Sequence, residues 1–164
     1  MKIFGVVGWK NSGKTTLVES LINTFLNKGM SVSTIKHSHH NFQIDKKGKD
    51  SFRHRAAGAS ETILASDLEW VKFSNNMPEK PSDLKFYLNQ LGNVDLVLVE
   101  GYKRGLHKKM EVFDDNARKS PIFLKDRTIC AVAFAGQKPN TELPVFERND
   151  VEIISEFIIK YLRI

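Results

Sequence analysis

The chain has 164 residues, of which 41% are hydrophobic and 27% charged, and its formal net charge is +6. This is the balance of one globular domain (1–164) with a real core, and it excludes a membrane span, because the longest apolar candidate, Leu96 to Val99, falls far short of the ~20 residues needed. A single cysteine, Cys130, excludes an internal disulfide, and the spread of Lys and Arg along the chain, with no recognised motif, argues against nucleic acid as the partner.

In chain order, Ile3 to Val7 is a buried apolar strand, and Met1-Lys2 leaves no room ahead of it for a cleavable leader, so the cytoplasm is expected. Lys14 to Asn27 carries helical apolar spacing through Leu17, Val18, Leu21, Ile22 and Phe25, with Gly29 as its stop. Ser31 to Lys36 follows as a strand and completes a βαβ unit. His37 to Asp45 is too polar for a strand. A short helix is expected from Asp50 to Ala59, capped by Asp50 or Ser51. Glu61–Ala65 and Glu69–Ser74 alternate around Ser66-Asp67, as a hairpin on the sheet edge would. Pro78 and Pro81 mark a loop, and Ser82 to Leu91 returns to helical spacing. Val94 to Val99, the most apolar strand, is expected at the sheet centre; Thr128 to Ala135 is a further strand, and Val151 to Leu162 a closing helix.

The residues from Gly8 to Thr15 fit G-x-x-x-x-G-K-[ST] at every fixed position, between a strand and a helix. That context makes a phosphate-binding loop, in which successive backbone N–H groups and the positive helix end face an anion. The expected nucleotide-binding residues are Gly8, Asn11, Ser12, Gly13, Lys14, Thr15 and Thr16. Lys14 would meet the β- and γ-phosphates, Thr15 would offer its hydroxyl to Mg²⁺, and Thr16 would donate to a more distal phosphate oxygen. The fold class expected is therefore α/β, a three-layer P-loop NTPase fold with a mostly parallel sheet and an antiparallel edge hairpin.

Two further places carry chemistry. Glu100 ends the apolar strand, where ligands of open parallel sheets bind, and could hold Mg²⁺ or orient a nucleophile; Asp95, at the other end, is expected to be structural. Basic residues gather at Lys46 to Arg55 and Lys103 to Lys109. Arg53, Arg55, Lys103 and Arg104 are candidates for a second phosphate or a partner. Asp45 and Asp50 follow the second strand and are alternative catalytic acids near the metal and γ-phosphate. His37, His39, His40 and His54 suggest metal ligation weakly, since two are sequence neighbours and no cysteine lies near.

Three segments together, Gly8-Trp9-Lys10-Asn11-Ser12-Gly13-Lys14-Thr15, Lys36-His37-Ser38-His39-His40 with Gly48 to Ala59, and Val99-Glu100-Gly101-Tyr102-Lys103, resemble the MobB family of molybdopterin-guanine dinucleotide biosynthesis adapter proteins. The resemblance implies GTP and Mg²⁺ as ligands, weak GTPase activity and a homodimer. It also implies a MobA-like guanylyltransferase as partner, with molybdopterin as a further ligand. The late strand ends Ala133-Phe134-Ala135-Gly136-Gln137-Lys138, with no Asp where GTPases commonly read guanine; Glu142, Asp150 or backbone carbonyls are left for that task. Two other readings of the same site stand beside this one, a P-loop small-molecule kinase or ligase and a metallochaperone GTPase.

Overall fold

The computed structural model describes residues 1–38, 44–75, 83–117 and 119–164. They form two compact units: Met1–His37 with Leu84–Ile164, and Ser38–Asp83.

The larger unit is a six-stranded sheet in which every neighbouring pair is parallel. Its strands are β1 (Lys2–Gly8), β2 (Val32–Lys36), β5 (Leu96–Glu100), β6 (Lys109–Asp114), β7 (Ile129–Ala135) and β8 (Val145–Glu147), in the order β2-β5-β1-β6-β7-β8. Helices α1 (Lys14–Asn27) and α4 (Val151–Leu162) bury Leu17, Leu21, Phe25, Ile154 and Ile158 against Phe4, Val6, Leu96 and Leu98 on one face. Complete burial of side chains of this size stabilises the fold by about 1.5–3 kcal/mol each. On the other face Val97 and Val99 meet Leu84, Tyr87 and Leu88 of α3 (Leu84–Leu88). Alternate β5 residues thus serve opposite layers, as the two-residue period of a strand requires.

Both long helices lie where their apolar spacing put them. The α1 terminus is a Schellman motif: Gly29, at φ 77°, donates its N–H to Leu26 O, and Met30 donates to Phe25 O. Asp95 is structural, its Oδ2 accepting both the N–H (2.8 Å) and the hydroxyl (2.6 Å) of Ser31.

Several expectations change. The apolar strand, observed as β5, is internal but second from the edge; β1 and β6 hold the centre. β6 and β8 were not foreseen, and Lys109, grouped with the basic loop Lys103 to Lys109, is fully buried at the start of β6. β6 begins level with Gly5 while β5 begins level with Lys2. The connection 101–108 can therefore pass straight over β1 without a helix. Gly5 makes that crossing possible: a Cβ there would come within 2.5 Å of His107 Nε2.

The smaller unit holds α2 (Asp50–Ala56) and an antiparallel hairpin, β3 (Glu61–Ala65) with β4 (Trp70–Ser74). The two hairpin strands form a sheet of their own rather than the edge of the large one. Helix α2 is shorter than its spacing suggested, and neither Asp50 nor Ser51 caps it, because the N-cap is Lys49 and the Ser51 hydroxyl donates to Asp45 instead (2.8 Å). Pro78, Pro81 and Ser82 lie outside the described residues.

Candidate functional site

The site is built where β1 turns into α1. Gly8 is required by close packing: a Cβ there would meet Val112 O at 2.5 Å and Ser12 Oγ at 2.6 Å. Gly13, at φ 87°, occupies the left-handed region and serves as the N-cap of α1. It also leaves room for Arg148, whose Nη1 would lie 2.5 Å from a Cβ at that position and donates to Ser12 O at 2.9 Å. Asn11 is left-handed as well, at φ 64°. Loop and helix start thus form a backbone cradle of the kind that holds phosphate oxygens. The buried hydroxyl of Ser12 finds no hydrogen-bond partner among the described residues. Thr16 is exposed on the first turn of α1.

Lys14 rests its ammonium on Trp9 O at 2.5 Å. Burial lowers its pKa; Glu100 opposes this and Lys36 adds to it. Beside it the Thr15 hydroxyl donates to Glu100 Oε1 at 2.9 Å. The Lys36 ammonium lies 3.3 Å from both of those oxygens. Hydroxyl and carboxylate are hard oxygen donors, and an ammonium already bridges them, so the pair suits a divalent cation such as Mg²⁺. Glu100 and Thr15 come together because Glu100 is level with Val6, just below the turn into the loop.

The loop after Glu100 brings a second cation close. The Lys103 ammonium lies 3.9 Å above the Trp9 ring, and that of Lys119 lies 4.7 Å from it. Burial lowers the Lys103 pKa, Lys14 and Lys119 lower it further, and Glu111 opposes them. Arg104 is exposed on the same loop.

In the smaller unit, Asp45 is occupied: Oδ1 accepts from Ser51 and Oδ2 from Arg55 at 3.3 Å. Arg55 also lies over Phe73, 4.6 Å from the ring centre. Asp50 and Arg53 are exposed and face each other across one helical turn at 3.6 Å. His37 packs against Tyr102 in the larger unit with the rings tilted and their centres 4.6 Å apart, and His54 lies on α2. His39 and His40 are outside the described residues. Among the described ones no three His, Cys, Asp or Glu side chains gather as a metal site. Glu142 and Asp150 are exposed in the loops flanking β8.

The family model described as "MobB: Molybdopterin guanine dinucleotide synthesis protein B" matches residues 3–135, from β1 to the end of β7. The chain belongs to the MobB family. A "Molybdopterin-guanine dinucleotide biosynthesis adapter protein" from Escherichia coli (strain K12) is 35% identical over 164 residues, covering 98% of this chain and 93% of the relative. Its namesake from Haemophilus influenzae is 37% identical over 162 residues, covering 98% and 89%. A crystal structure of molybdopterin-guanine biosynthesis protein B superposes with a TM-score of 0.77 at 26% identity, over 98% of this chain and 99% of that one.

Sequence reasoning missed Lys36, Arg148, Trp9 and Asp115. Parallel pairing of β2 with β5 sets Lys36 level with Glu100. Asp115 stands just past β6, where its Oδ2 accepts the N–H of Gln137 beyond β7 at 3.2 Å. It therefore puts a carboxylate at the ends of the late strands, from β6 rather than from β7.

Proposed function

We propose that this chain is an accessory GTP-binding protein of molybdopterin guanine dinucleotide biosynthesis, with weak GTPase activity, that assists a MobA-like guanylyltransferase. The observation that carries the nucleotide reading is the cradle from Gly8 to Thr16, with Lys14 beside it and Thr15 joined to Glu100. Lys14 would neutralise the β- and γ-phosphates, Asn11, Ser12 and Thr16 would help hold the phosphate oxygens, and Thr15 with Glu100 would hold Mg²⁺. The cation, when bound, draws charge from the terminal phosphates. Glu100 is the favoured catalytic acid, with Asp50 next. Asp45, both of whose oxygens are engaged, is the least available.

The choice of GTP, the guanylyltransferase partner and molybdopterin as further ligand rest on family membership and on the relatives' names. Asp115 joins Glu142 and Asp150 as an acid that could read the base. A homodimer fits the apolar side chains of the hairpin, where Ile63, Leu64, Leu68 and Trp70 are all more than half exposed. A cytoplasmic setting belongs to the same proposal; no helix among the described residues is long and apolar enough to cross a membrane.

Arg53, Arg55, Lys103 and Arg104 would serve a second phosphorylated compound or the partner enzyme. Arg53→Ala and Lys103→Ala should then spare GTP affinity and impair partner-dependent guanylylation, measured with purified transferase and molybdopterin. A fall of about 10³ in hydrolysis would make them groups acting on GTP itself. Normal guanylylation by both variants would remove the adapter role from these residues.

A further inference from the structure

A cavity of about 550 Å³ opens beside the phosphate loop, between Trp9 and the segments 103–106 and 120–128. What builds it is unusual. Lys109 and Glu111, both fully buried on β6, carry charges into a layer that apolar side chains would fill at lower cost. Their partners are the two walls of the cavity. The Lys109 ammonium donates to Gly105 O and Thr128 Oγ1 at 2.5 Å each and to Asp126 Oδ2 at 3.3 Å. The Glu111 carboxylate accepts the N–H groups of Ile122 (2.9 Å) and Phe123 (2.8 Å). One strand therefore pins both loops from beneath, so the cavity is preformed rather than a gap between mobile segments.

Its lining has a definite chemistry. Leu106, Pro121 and Ile122 make an apolar wall, and Lys103, Arg104 and Lys125 supply positive charge. The acid in the lining, Asp126, is already paired with Lys109. Burial works against that carboxylate, but the Thr128 hydroxyl and N–H and the Lys109 ammonium outweigh it and hold its pKa below the ordinary value. A concave space of this size with an apolar wall and three cations in its lining fits a small anionic molecule better than a protein face.

We propose that this cavity is a second ligand site, taking a phosphate-bearing small molecule whose apolar body lies against Leu106, Pro121 and Ile122. Arg104, Lys103 and Lys125 hold the phosphate, and Trp9 is shared with the triphosphate loop. The proposal rests on the reading of Lys103 and Arg104 as cations for a second phosphorylated compound, and it gives that compound a place and a class.

The test is calorimetry on the full chain saturated with Mg²⁺ and the β,γ-imido analogue of GTP, which fills the phosphate loop. The probe is 4-methylumbelliferyl phosphate, with 4-methylumbelliferone and inorganic phosphate titrated separately. The probe should bind once per chain, at least about tenfold more tightly than either control. Arg104→Ala and Leu106→Glu should each weaken it about tenfold while leaving affinity for the analogue within about threefold; Leu106 is 89% exposed, so its substitution spares the fold. No saturable binding, equal affinity for inorganic phosphate, or indifference to both variants overturns the proposal. So does probe binding that Lys14→Ala abolishes, which would place the probe in the triphosphate loop. If Arg104→Ala spares the probe but abolishes stimulation of the guanylyltransferase, the surface belongs to the partner and the proposal also falls. Failure of the analogue to bind defeats the nucleotide reading alone; the probe is then judged on the nucleotide-free chain by the same variants.

Discussion

The phosphate loop and the cavity beside it are neighbours that share Trp9, yet they are made in opposite ways. The loop is one contiguous stretch, Gly8 to Thr16, whose backbone and helix end would supply most of the chemistry, so its proposed role is written in the spacing of a few residues. The cavity is assembled from segments more than a hundred residues apart, such as Trp9 and Ser120, joined by the indole N–H on Ser120 O at 3.0 Å. Its shape is held by charges hidden inside β6. A site carried by backbone tolerates change around it; one carried by buried charges does not.

Removing one of those charges should have the largest effect. Lys109→Ala leaves Asp126 facing an empty ammonium position and frees both cavity walls. It should lower unfolding free energy by about 3 kcal/mol, the cost of breaking a buried pair, measured by denaturant melts. A loss confined to a few tenths of a kcal/mol would mean that the buried ammonium is not what holds those loops.

Glu100→Gln sharpens the contrast from the loop side. It keeps shape and removes charge next to Thr15, so turnover should fall by about tenfold or more while nucleotide affinity changes less. Single-turnover hydrolysis against equilibrium binding separates the two. Unchanged turnover per bound nucleotide would pass the role to Asp50.

A further effect is a pH dependence. His107 lies over Gly5 at the crossing of the 101–108 connection, and neither ring nitrogen has a hydrogen-bond partner among the described residues. Burial lowers its pKa to about 4, the nearby Lys109 adds to this, and Asp126 opposes it. Above the ordinary value of 6.5 both folded and unfolded chains hold it neutral. As pH falls from there towards about 4 the unfolded chain takes up the proton first, so stability is lost across that window. His107→Gln should flatten the fall in Tm between pH 7 and 5; an identical fall in the variant would assign it to other groups.

The same contrast explains what the sequence revealed. Strand β1, helices α1 and α4 and the end of β5 announce themselves through apolar spacing and a local motif, and they lie close to their expected bounds. Strand β6 was hidden because Lys109-Met110-Glu111 reads as an alternating surface segment. Its charges face inward only because the two loops they bind are there to receive them. β8 is too short to show a period, and Arg148 reaches Ser12 across 136 positions of sequence. Lys36 could be paired with Glu100 only once the strand order was known.

The central claim, a triphosphate held in the Gly8–Thr16 cradle, is tested most directly by calorimetry of GTP and ATP against the intact chain and Lys14→Ala, with and without Mg²⁺. The Lys14 ammonium is a charge-assisted contact worth about 1.5–3 kcal/mol. The account predicts one Mg²⁺-dependent site per chain that prefers GTP and is weakened roughly ten- to a hundredfold by the substitution, with the fold intact by circular dichroism. Affinity in Lys14→Ala within about threefold of the parent would contradict it.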